Sequence, residues 1–203
     1  MEGLTLFKIG QFIILLTFAV FISDFRKKGG MVPLINGKLT LSMRFCYPVL
    51  ICGCGFVIAT LKLLLPLDFV ALTVTLLGTF LVVKAKIDLG KYHTWAGYHF
   101  KATKLVTEGI YTFIRHPIYT GVYVFILGGL LISIPNLGVI SAKILYTPWF
   151  VTYIGLAALA YMMALIPIIA SRETALLLQQ FGDEFLEYQQ QVHAFLPLRI
   201  FKG

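Results

Sequence analysis

The 203-residue sequence predicts an all-α fold: a polytopic membrane protein of about five transmembrane helices, closed by a C-terminal amphipathic helix. Three observations carry this. Hydrophobic residues make up 59% of the chain and charged residues 13%, with a mean hydropathy of +0.87. The apolar residues gather into runs close to the 20 or so that a helix needs to cross a bilayer. The basic residues fall between those runs. A net charge of +8 would suit nucleic acid, but no basic face forms, which excludes that partner and leaves the lipid bilayer.

The runs occupy residues 4–23, 45–65, 67–85, 118–134 and 144–170. The first is followed by "FRKK" and preceded by no small-x-small cleavage site, so it reads as a retained helix rather than a signal peptide. The second holds all three cysteines, Cys46, Cys52 and Cys54, with no histidine or carboxylate to complete a metal site; they read as small packing residues. Little more than Pro66 separates it from the third, which predicts a tight helical hairpin. Glycines within the spans, among them Gly128 and Gly129, suit close helix packing.

Orientation follows from the loops, because segments rich in Lys and Arg stay cytoplasmic. Fourteen of the seventeen basic residues fall in the first connection, the third connection and the tail; Lys8, Lys62 and Lys143 fall on the other side. The N-terminus is therefore expected outside and the C-terminus in the cytoplasm. The membrane would be the inner membrane of a prokaryote or the endoplasmic reticulum of a eukaryote. No composition break divides the chain, so one domain is expected: three spans over residues 1–87 and a chemically active core over residues 88–197.

That core has two unusual stretches flanking the last two spans. In "EGIYTFIRHPIYTG", residues 108–121, Arg115 and His116 stand at the mouth of the fourth span. Such groups are costly in lipid and face either the headgroup layer or a protein-lined cavity. Pro117 suits the first turn of a helix, which would put both residues beside N–H groups suited to an anion. In residues 171–197, Phe181, Phe185, Tyr188 and Val192 recur at spacings of four, three and four, marking an amphipathic helix. Its other face carries Asp183, Glu184 and Glu187, so it suits packing on the basic third connection better than lying on an anionic membrane.

"KLVTEGIYTFIRHPIYTG", followed beyond one hairpin by a Glu, "LLLQQFGDEFLEYQQQV" and "LP", resembles the isoprenylcysteine carboxyl methyltransferase family and its relatives, grouped with phospholipid methyltransferases. The resemblance implies a helical membrane enzyme that binds S-adenosyl-L-methionine at a cytoplasmic site without a Rossmann domain. Consistent with this, no strand precedes a glycine-rich phosphate turn. By position, it implies cofactor contacts from Thr103, Lys104, Leu105, Val106, Tyr111, His116, Pro117, Ile118, Tyr119 and Glu173. Thr103 stands where relatives have a histidine, and Ile169 where they have an arginine that contacts substrate. Arg172, three residues on, is the expected replacement for that arginine, with lipid anchoring as its alternative role. Arg172 and Arg115 are thus the candidate catalytic residues. The implied acceptor is lipophilic or small: a prenylcysteine-like carboxylate, a phospholipid amine or a thiol. Because "RHPxY" also occurs in membrane steroid reductases, a nicotinamide-dependent reductase is the alternative, and a non-catalytic membrane subunit a third.

Overall fold

The computed structural model describes residues 2–23, 30–94, 97–101, 103–133 and 149–196. Six α-helices occur among them: α1 (Glu2–Ile22), α2 (Gly37–Thr60), α3 (Pro66–Leu89), α4 (Pro117–Ser133), α5 (Trp149–Phe181) and α6 (Asp183–Gln191). Four are long and apolar enough to cross a membrane, and α4 is a shorter apolar helix. The protein is an all-α polytopic membrane protein, as its hydropathy predicts. The predicted start of the fifth span, at 144, lies outside the described residues, as do Arg26, Lys27, Lys28, Lys143, Arg199 and Lys202.

Local chemistry sets the helix ends. The Asn36 side chain accepts the Lys38 N–H at 3.1 Å and so starts α2 eight residues before the apolar run, which moves Lys38 and Arg44 onto a helix. α3 begins at Pro66, whose missing N–H costs nothing in a first turn, and the Asp68 carboxylate accepts the Leu65 N–H at 2.8 Å. It continues to Leu89, so Lys84, Lys86 and Asp88 are helical as well.

The predicted hairpin has its short turn, but its two helices scarcely touch: α2 packs on α1 and α5, whereas α3 lies along α4. Glycine explains the second pairing. A Cβ on Gly78 would fall 2.5 Å from the Phe125 backbone nitrogen, and one on Gly121 would fall 2.7 Å from the Gly78 carbonyl oxygen. Gly128 meets Thr75 in the same way, so the two backbones approach as only glycine permits. Stacked rings of Phe18 and Phe125, 3.8 Å apart, seat α1 on this pair.

The helices alternate in direction and bring the unusual loops to one end. There Met31–Pro33 (β1) pairs antiparallel with Tyr98–Phe100 (β2), Val32 opposite His99, which ties the first connection to the third. Strands of three residues are too short to read from periodicity. At the opposite end Lys8 donates to the Ala59 carbonyl at 3.0 Å, three residues before Lys62. Among the described residues, Lys8 and Lys62 thus lie at the end of the bundle opposite the paired strands.

Candidate active site

Beyond α3 the chain turns at Gly90 and reaches a 3₁₀ turn, Gly109–Thr112, held by Asp88. The Asp88 carboxylate accepts the Ile110 N–H at 2.8 Å and also pairs with Lys84. Gly109 is required here twice over. Its φ is +63°, and a Cβ would sit 2.2 Å from Asp88 Oδ2. This turn delivers Tyr111 inward, where it is 7% exposed.

The next residues start α4 by an unanticipated device. The C-terminal segment runs alongside them, with the N–H groups of Arg115 and His116 donating to the carbonyls of His193 and Ala194, both at 2.9 Å. Arg115 Nε donates to the Val192 carbonyl at 2.8 Å, and Thr120 Oγ1 to that of Phe195 at 3.0 Å. The backbone N–H groups of Arg115 and His116 themselves are therefore taken by the tail. Such a strap leaves no trace in residue periodicity, because backbone groups make it.

α5 supplies the other wall. Glu173 Oε2 lies 3.6 Å from His116 Nδ1, and Tyr119 borders the same cavity. His116 Nε2 meets Thr174 Oγ1 at 3.1 Å, which fixes the ring between two residues of one helix turn. His116 is 5% exposed and Tyr119 9%, whereas the Glu173 side chain keeps 37% of its surface accessible. A carboxylate faced by a histidine, yet open on one side, can receive a cation.

Gly182, at φ +52°, ends α5 in a backbone geometry that side chains resist, and lets α6 turn back over the third connection. Phe185, Tyr188 and Val192 bury there against Leu105, as the four-three-four spacing predicts, although Phe181 belongs to α5. Phe185 alone is 1% exposed, a burial worth about 2–3 kcal/mol. The Tyr188 hydroxyl donates to the Tyr111 carbonyl at 2.6 Å, so the covering helix and the Tyr111 turn are joined. Burial foremost, then the negative charge of Glu173, holds the Tyr111 phenol well above its ordinary pKa. Burial raises the Tyr188 phenol too, against the pull of Arg115. Both stay neutral donors at physiological pH.

These residues line one cavity of about 1240 Å³. Eleven of the twelve predicted site residues border it: Thr103, Lys104, Leu105, Val106, Tyr111, Arg115, His116, Pro117, Ile118, Tyr119 and Glu173. Arg172 does not. With 3.6 residues per turn, Glu173 falls about 40° to one side of Ile169 and Arg172 about 60° to the other. The arginine therefore leaves the cavity face, is exposed, and donates through Nη1 to the Leu34 carbonyl at 3.2 Å. Ile169, fully buried, fills the place between. Tyr98, His99, Phe100 and Gln180, which no motif singled out, complete the polar end of the lining. From there the cavity extends between α2, α4 and α5, along mostly apolar side chains, to Ile58, Ser133 and Gly155.

Residues 67–158 match the family described as phospholipid methyltransferase, within the grouping that the sequence resembles. The match takes in α3, the loop carrying Tyr111 and His116, and α4, and ends before Glu173. No curated protein matches the chain.

Proposed function

We propose that this chain, whose residues 67–158 match the phospholipid methyltransferase family, is an S-adenosylmethionine-dependent methyltransferase that takes a lipophilic or small acceptor from the bilayer. The observation that carries the proposal is the convergence of Tyr111, His116, Tyr119 and Glu173, from three separate elements, on the polar end of one cavity whose remainder is apolar. The donor set fits the cofactor. His116 Nδ1 stands on one side of the Glu173 carboxylate, and the open side of that carboxylate suits the ammonium of the amino acid moiety. Tyr111 and Tyr119 offer neutral aromatic faces, which attract a sulfonium.

When bound, the cofactor supplies an electrophilic methyl group; the acceptor's lone pair forms the new bond to carbon as the carbon–sulfur bond breaks, and that electron pair stays on sulfur to give S-adenosylhomocysteine. The protein's part is chiefly positioning and exclusion of water. Glu173 and His116 fix one end of the site, the 3₁₀ turn places Tyr111, and α6 covers the opening toward the third connection. A carboxylate or thiolate acceptor needs no base. An amine acceptor must lose a proton as well. Arg172 has no role in this scheme, since it lies outside the cavity, and Arg115 acts through its bond to Val192 as a positioning residue.

The test is transfer from methyl-labelled S-adenosylmethionine by the purified chain in lipid nanodiscs, offered prenylcysteines, ethanolamine lipids, isoprenoid acids and small thiols. Label is expected in one of these classes, with S-adenosylhomocysteine released. Binding of NADPH in place of S-adenosylhomocysteine would instead establish the reductase.

A further inference from the structure

A polar pair lies deep in the apolar part of the cavity. Gln11 of α1 and Thr75 of α3 both border it, at 2% exposure each. Thr75 Oγ1 faces two acceptors: the Leu72 carbonyl at 2.9 Å and Gln11 Oε1 at 3.3 Å. Gln11 Nε2 has no hydrogen-bond partner among the described residues. An amide buried with an unmet donor is costly, and most buried polar groups in folded proteins are paired. Apolar residues would pack α1 on α3 as well here, so the glutamine calls for a different reason.

We propose that Gln11 and Thr75 form a second anchoring site that reads an oxygen function, a hydroxyl or a carbonyl, on the hydrocarbon chain of the lipid held in the cavity. The depth is set by the helices. Thr75 lies against Gly128, where an added Cβ would meet its Cγ2 at 2.5 Å, and Gly128 is nine residues along α4 from Tyr119. A rise of 1.5 Å per residue puts the amide about 14 Å from the polar end of the cavity. The ligand is thus an amphiphile with its polar head beside Glu173 and a mid-chain oxygen at Gln11. Thr75 has a single proton, so the amide can turn its N–H or its carbonyl toward the ligand; a hydroxyl satisfies either and a carbonyl satisfies the first.

The inference rests on the lipophilic acceptor of the preceding section but needs no methyl transfer to be tested. Oleic acid and ricinoleic acid differ only in a mid-chain hydroxyl, and their binding to the full chain in nanodiscs can be compared by native mass spectrometry. The native chain is expected to bind ricinoleic acid roughly five- to tenfold more tightly, the worth of one buried hydrogen bond. Gln11→Leu and Gln11→Met should abolish that preference while melting at or above the native temperature, since each removes an unmet donor. Equal binding of the two acids by the native chain overturns the proposal, as does a preference that survives both substitutions. Calorimetry with S-adenosylhomocysteine on the same preparations separates the two claims. Its failure to bind sinks the methyltransferase and leaves the chain preference to stand or fall by itself, and retained binding shows that the variants are folded.

Discussion

At the scale of single residues, the proposal rests on Glu173. It sits on the face of α5 that also bears Ile169, and its carboxylate faces His116 with one side open to the cavity that Tyr119 also borders. Glu173→Gln keeps the size and removes the charge. It should weaken S-adenosylhomocysteine binding by about ten- to a hundredfold, the effect of losing a charge-assisted contact of roughly 1.5–3 kcal/mol. Arg172→Ala, one position away, should leave both cofactor affinity and turnover little changed, because that guanidinium reaches the Leu34 carbonyl and not the cavity. Titration calorimetry and initial rates on the two variants check the contrast, and a large kinetic loss in Arg172→Ala would return that residue to the acceptor. That Glu173, His116 and Tyr119 would border one cavity was legible in the sequence, because the motif residues sit at fixed offsets from a proline and a glycine. Arg172 falls off the cavity lining because three residues along a helix share only a general side, while a cavity wall distinguishes faces about 100° apart.

The elements place those residues through a few glycines and one strap. Gly109 holds a left-handed backbone against Asp88, so Gly109→Ala combines backbone strain of about 1–2 kcal/mol with a clash at the carboxylate that anchors Ile110. The variant should melt lower in detergent and bind S-adenosylhomocysteine more weakly, as Tyr111 shifts with its turn. An unchanged affinity would detach that turn from the cofactor. At the α3–α4 contact, Gly121→Leu should be more disruptive still, since even a single Cβ meets the Gly78 carbonyl oxygen at 2.7 Å; its thermal midpoint, compared with that of Gly109→Ala, measures this. The amphipathic spacing foretold α6, which buries Phe185 and Tyr188 as expected. The residue 192–195 strap was not foretold, because it joins backbone groups more than seventy residues apart and no side-chain pattern encodes it.

Across the whole molecule, hydropathy made the apolar helices legible, while the pairing of α3 with α4 came from glycine contacts that no hydropathy profile records. The adjacency of the second and third spans suggested a packed hairpin, whereas the close approach of Gly78, Gly121 and Gly128 pairs α3 with α4 and leaves α2 to wall the cavity. The first connection, the third connection and the tail meet at one end, through β1–β2 pairing and the strap. Their excess of Lys and Arg predicts that this end is cytoplasmic. A reporter fused after Gly203 should therefore be cytoplasmic and one inserted near Pro66 external; the reverse would put the site on the far side of the membrane. The central claim, that the polar end of the cavity holds S-adenosylmethionine, is tested most directly by titration calorimetry of the purified native chain with S-adenosylhomocysteine and, separately, with NADPH. Saturable one-to-one binding of S-adenosylhomocysteine and none of NADPH is the predicted result; binding of NADPH with no heat from S-adenosylhomocysteine would contradict it.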